Sequence, residues 1–179
     1  GVKLDIMNNK ELKLVENKLG IQSNILETWK KKFEIKYFKI GEVILNNTSI
    51  SKSILILLEG KVRLRGISNS EKILSLAVIE SPEIIGFASN LLQKPIEIAT
   101  AGSDCIFLSI SIEEWDGFKK GIKESDSIFS QKKIDLSELW FLFNSLLKEV
   151  ELPEDPRELK RFLKNYQKAV KIFDNYEEF

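Results

Sequence analysis

The sequence predicts an α+β protein: a short-stranded antiparallel β roll of jelly-roll (double-stranded β-helix) type, flanked by N-terminal and C-terminal helices. Three observations predict it. Over residues 8–32 apolar side chains recur at helical spacing, with Leu12, Val15 and Leu19 on one face. From Phe33 to Trp115 the pattern changes to short alternating or wholly apolar runs, separated by glycine, asparagine and serine turns. After Ser111 helical spacing returns. The expected division is N-terminal helices over 1–33, the roll over 34–116 and a helical region over 117–179.

Each element has its own signal. Asn8 and Glu11 form a capping-box pattern at the start of the first helix, and Gly20 punctuates its end. Ser23 is placed to cap a second helix bearing Leu26, Trp29 and Phe33. Phe33, Ile35 and Tyr37 alternate with polar residues, and Gly41-Glu42 turns the chain into Val43-Ile44-Leu45. Ser53 to Leu58 is a continuous apolar run, as in a strand buried on both faces. Glu59-Gly60 then turns into the alternating Lys61-Val62-Arg63-Leu64-Arg65. Arg63 and Arg65 share one face, as residues two apart on a strand must. A turn at Ser68-Asn69-Ser70 leads to a strand from Ile73 to Ile79, and Cys105 to Ile110 is the last strand-like run. Asp135 with Glu138 is a second capping box, opening a helix with Leu136, Leu139, Trp140, Phe143, Leu147 and Val150. Asp155-Pro156-Arg157-Glu158 starts another, lined by Leu159, Phe162, Leu163, Tyr166, Val170 and Phe173.

Composition excludes several functions. The chain has 179 residues with 27 basic and 27 acidic side chains, so its formal charge gives no overall pull toward nucleic acid or an anionic membrane. It contains no histidine. That removes Ser-His-Asp and Cys-His catalysis and imidazole metal sites, including those of histidine-ligated jelly-roll enzymes. No metal or other cofactor is expected, and no enzyme activity. Cys105 is the single cysteine and has no disulfide partner, which fits a reducing compartment, the cytoplasm, and a small buried thiol. No apolar run reaches the ~20 residues that span a bilayer, so no membrane span is expected.

The segment from Ile84 to Ala101, IIGFASNLLQKPIEIATA, has the form of a pocket cassette: strand, glycine turn, short helix, proline-marked return, strand. Its surroundings complete a resemblance. Phe38-x-x-Gly41-Glu42-x-Ile44, the run Ile56-Leu57-Leu58-Glu59-Gly60-Lys61-Val62-Arg63-Leu64, the Ile84-Ile85-Gly86 to Pro95 cassette, and Ala101, Asp104 and Cys105 to Ile110 follow in that order. Together they resemble the cyclic nucleotide-binding domain family, with its catabolite-activator-like β roll, over about Phe33 to Trp115. The resemblance implies a cassette in which backbone N–H groups at a helix N-terminus meet a cyclic phosphate. It also implies an arginine after the proline, to neutralise the phosphate, and a glutamate after the glycine, to accept from a ribose hydroxyl.

This chain keeps the frame and lacks the chemistry. Gly86 and Pro95 match the family's glycine and proline, while the glutamate position holds Phe87 and the arginine position Ile96. Lys94 is a point charge without the bidentate fork, and Glu97 beside a phosphate would repel it. The resemblance therefore implies a degenerate cassette of Gly86, Phe87, Ala88, Ser89, Lys94, Pro95, Ile96 and Thr100, with Phe87 and Ile96 filling the vacated pocket. The function expected is a non-catalytic regulatory or ligand-sensing module that does not take cAMP or cGMP by the usual contacts. It is expected within a larger protein such as an ABC-type exporter. The partners expected are a nucleotide-like or apolar small molecule, a protein partner or covalently linked domains, and a homodimer through the C-terminal helices, with no nucleic acid. The alternative is a catabolite-activator-type transcription regulator. It is weakened because no glycine follows Gly121 to make a helix-turn-helix turn, and because residues 149–155 are acidic.

Overall fold

The computed structural model describes residues 7–68, 71–123, 136, 137, 140, 144 and 152–165. Helix α1 (Asn9–Leu19) starts where the capping box predicts: Asn8 Oδ1 accepts from the Glu11 amide at 2.8 Å, and Glu11 Oε1 accepts from the Asn8 amide at 3.0 Å. Helix α2 (Ser23–Trp29) differs from expectation. Its N-cap is Gln22 without a side-chain cap bond, because the Ser23 hydroxyl is turned back to donate to Glu16 of α1. A 3-10 turn, Lys30–Lys32, leads into the roll.

Eight strands follow among the described residues: β1 (Phe33–Phe38), β2 (Val43–Leu45), β3 (Ser53–Glu59), β4 (Lys61–Ile67), β5 (Ile73–Glu80), β6 (Glu83–Ile85), β7 (Glu97–Ala101) and β8 (Cys105–Ser111). Helix α3 (Phe87–Leu92) joins β6 to β7, and α4 (Ile112–Lys123) follows β8. All pairings are antiparallel and form two four-stranded sheets, β1-β8-β3-β6 and β2-β7-β4-β5. This is the α+β roll the alternation predicts.

The apolar run of β3 is explained by its place. It lies between β8 and β6, with both faces covered: Leu55 and Leu57 join the core inside the roll, while Ile54, Ile56 and Leu58 join a second core on the far side. Strand β4 alternates instead. Val62 and Leu64 point into the roll, and Lys61, Arg63 and Arg65 are exposed on its outer face.

The second core lies under α1, α2 and α4. Phe118 is fully buried there, edge-on to Phe33 with ring centroids at 5.0 Å and to Trp29 at 5.7 Å. Gly117 and Gly121, one helical turn apart on α4, leave the room that the Trp29 indole occupies. Trp115 packs here as well.

The first core fills the roll, and the C-terminal region supplies part of it. Trp140, Leu159 and Leu163 are buried there with Leu57, Val62, Leu64 and Phe107. Residues 156–165 are helical, and Asp155 caps them through its side chain on the Arg157 amide at 2.8 Å, as predicted. The expected cap pair Asp135 and Glu138 lies outside the described residues, as do Leu139, Phe143, Leu147, Val150, Tyr166, Val170 and Phe173. Among the described residues no helix is long and apolar enough to cross a membrane.

Candidate functional site

The cassette forms as its sequence suggests. Strand β6 ends at Ile85, and Gly86 turns the chain with φ of +89°, a left-handed backbone that a side chain rarely adopts. Helix α3 runs for only six residues, and the chain returns through Gln93, Lys94 and Pro95 into β7. The Gly86 carbonyl is held by Asn90, which donates to it from its amide at 3.2 Å and from its side chain at 2.8 Å.

The N–H groups of this turn point at a side chain of the protein itself. Glu97, the first residue of β7, is 1% exposed. Its Oε2 accepts from the Gly86 amide and its Oε1 from the Ser89 amide, both at 3.0 Å. The Ser137 hydroxyl donates to Oε2 at 2.9 Å and accepts from the Ala88 amide at 3.0 Å. The Ser89 hydroxyl accepts from the Ile96 amide at 3.1 Å, which ties the return strand to α3. Among the described residues Glu97 has no ion-pair partner. A buried carboxylate without partners would cost several kcal/mol. Donors to a charged acceptor offset this by about 1.5–3 kcal/mol each, and Glu97 has donors on both oxygens.

The C-terminal region closes the roll beside this cluster. Trp140 is fully buried, and its Nε1–H donates to the Ile96 carbonyl at 3.0 Å. Its ring packs against β4 at Gly66, where even a methyl group would overlap it. The Leu136 amide donates to Glu83 Oε1 at 3.2 Å, a further tie between this region and the strand that precedes the cassette.

The structure gathers some of the expected residues and separates others. Gly86, Ala88, Ser89 and Ile96 meet around Glu97, and Ile96 is buried in the roll interior. Phe87 is different: it packs against the helix-side core, with the Lys119 ammonium 5.8 Å from its ring centre, and so does not fill the roll as expected. Helical geometry explains this, since Phe87 and Ala88 are about 100° apart and only one can face inward. Lys94 is exposed and Pro95 half-buried, and the Lys94 amide donates to the Ser89 carbonyl at 3.1 Å. Thr100 lies half-buried on β7, in register between Val43 and Arg63. Arg63 and Arg65 alternate outward from the roll, away from the cassette. No cluster of metal-ligating side chains occurs among the described residues.

Glu97, Ser137 and Trp140 were not among the expected site residues. A signal for Glu97 existed: it alternates with Ala99 and Ala101, which are buried in the roll, so period two places its carboxylate on the inner face. Nothing local marks Ser137, whose role depends on a contact 40 residues away in the chain.

No family model matches the chain, and no curated protein matches it by sequence. Solved structures do match. Cyclic-AMP-bound PfPKA-R superposes with a TM-score of 0.51 at 18% identity, over 66% of this chain and 48% of that one. The regulatory subunit of a cAMP-independent protein kinase A from Trypanosoma cruzi, bound to guanosine, gives 0.53 at 14% identity, over 64% and 43%. The regulatory domain of Toxoplasma gondii PKA with cAMP gives 0.52 at 12%, over 63% and 46%. The chain thus spans a little under half the length of each. These likenesses show the fold: the chain has the β roll of cyclic nucleotide-binding domains, as its motifs lead one to expect.

Proposed function

We propose that this chain is a non-catalytic regulatory module on a cyclic nucleotide-binding fold, one that does not take cAMP or cGMP through the usual phosphate contacts. The observation that carries the reading is Glu97. Its carboxylate accepts the Gly86 and Ser89 N–H groups at 3.0 Å, at the helix N-terminus where the resemblance places a ligand's phosphate. A phosphate entering there would have to displace that carboxylate and then sit beside it, with no arginine at position 96 to offset the repulsion. The roll interior supports the same reading, since Trp140, Leu159 and Leu163 pack into it. A homodimer through the C-terminal helices would have to use faces other than the one that carries Leu159 and Leu163.

Titration with a fluorescent cyclic nucleotide tests the reading. No saturable binding at high micromolar concentration is the expected result, and saturable binding competed by unlabelled cAMP overturns it.

The module serves a larger cytoplasmic protein in this reading, with covalently linked domains as its partners and an ATP-binding-cassette exporter as the host. The support is the order helices, roll, helices, together with the lack of any glycine after Gly121 for a DNA-reading turn. The complete gene decides this: a downstream helix-turn-helix in place of a membrane domain and an ATPase would overturn it.

A further inference from the structure

We infer that Glu97 is an internal substitute for a ligand's anion, and that through Ser137 it holds the C-terminal region closed on the roll without any small molecule. The inference rests on the proposed function and extends it from an occupied site to a built-in catch.

Four observations meet in it. First, one carboxylate satisfies both ends of the cassette turn, with Oε2 on the Gly86 amide and Oε1 on the Ser89 amide. Second, the Ser137 hydroxyl spans the cassette and the carboxylate at once, accepting from Ala88 N–H at 3.0 Å and donating to Glu97 at 2.9 Å. A hydroxyl has one proton, so these roles are fixed by its partners: an amide can only donate to it, and the proton must go to Glu97. Third, Ser137 is fully buried, and Trp140, three residues on, is fully buried too and bonded to the Ile96 carbonyl. The carboxylate therefore sits between the cassette and Ser137 and Trp140 of the C-terminal region. Fourth, the carboxylate comes from β7, the same strand whose preceding residue receives Trp140. Moving the cassette, the return strand or the C-terminal region alone would leave a buried donor or acceptor without a partner.

A catch of this kind makes the closed state independent of ligand concentration. The position of the C-terminal region is then set by the chain itself.

Hydrogen exchange on the whole chain tests it. In Ser137→Ala, which leaves both backbone donors on Glu97, peptides covering 136–165 should exchange at least about tenfold faster while β3 and β8 keep wild-type protection. Glu97→Gln, whose amide group presents hydrogens to donors, should loosen the same peptides at least as much. Wild-type protection of 136–165 in Ser137→Ala overturns the inference, and that variant alone decides if Glu97→Gln fails to fold. Cyclic AMP at high micromolar concentration should leave the wild-type pattern unchanged. A change there would count against the proposed function, whereas unaltered protection in Ser137→Ala would count against the catch.

Discussion

The helix-side core and the roll interior both bury a large aromatic anchor, but they are closed by different means. Under α1, α2 and α4, Phe118 meets Trp29 and Phe33 edge-on, and the one indole N–H buried with them, that of Trp115, makes no hydrogen bond among the described residues. Inside the roll, Trp140 is held through its Nε1–H, beside a buried carboxylate, two serine hydroxyls and Asn90. Apolar contacts tolerate small shifts, whereas hydrogen bonds in a dry interior do not, because each lost partner leaves an unsatisfied group. The helix-side core can supply stability. The roll interior also specifies one relative position for the cassette and the C-terminal region.

If the two closures are independent, they should fail independently. Phe118→Ala should give the largest loss of stability, about 3–5 kcal/mol by urea denaturation, since a fully buried ring leaves a cavity. Its effect should add to that of Ser137→Ala within about 0.5 kcal/mol, because the residues sit in different cores. A coupling well above that would mean that the β3 sheet transmits strain between its two faces, and the comparison would not stand.

A smaller effect isolates the roll interior. Gly66 is the next-to-last residue of β4, paired on both sides, where alanine would ordinarily suit the backbone better than glycine. Gly66→Ala should nevertheless destabilise by about 1–3 kcal/mol, because the added methyl overlaps the Trp140 ring. In a Trp140→Ala background the same change should be near neutral or stabilising. An equal loss in both backgrounds would show that something other than Trp140 demands the glycine.

The same contrast governs what was legible in the sequence. The helix-side core follows from periodicity: Val15, Leu19 and Leu26 at helical spacing, and the doubly buried run of β3. The capping box of Asn8 and the side-chain cap of Asp155 could be read because their partners lie two or three residues away. The cassette's frame was legible at Gly86 and Pro95, for the same local reason. Its chemistry was not, because Phe87 and Ile96 say only what is missing. What replaces the missing groups is a carboxylate that an alignment to the family treats as a misplaced charge, and a serine 40 residues further on. Hydrogen-bond partners at that separation leave no periodic trace.

Cys105 gives the smallest effect and checks how tightly the roll is sealed at the end where β3 turns into β4. Its thiol is buried, with Sγ 3.2 Å from the Lys61 carbonyl, and it lies under Gly60, where an added side chain would collide with it. Burial pushes the thiol pKa up, against the lowering effect of its hydrogen bonds with Ser103 and Lys61. The protonated form is thus the one the fold favours. Any stability this contributes is present at neutral pH and falls as the pH rises from the ordinary thiol range through the raised pKa. Alkylation by iodoacetamide at neutral pH should then be much slower than in the urea-unfolded chain, because both exposure and thiolate are lacking. Labelling at the unfolded rate would mean that the β3–β4 end opens readily, and that the roll interior depends on the cassette and C-terminal contacts alone.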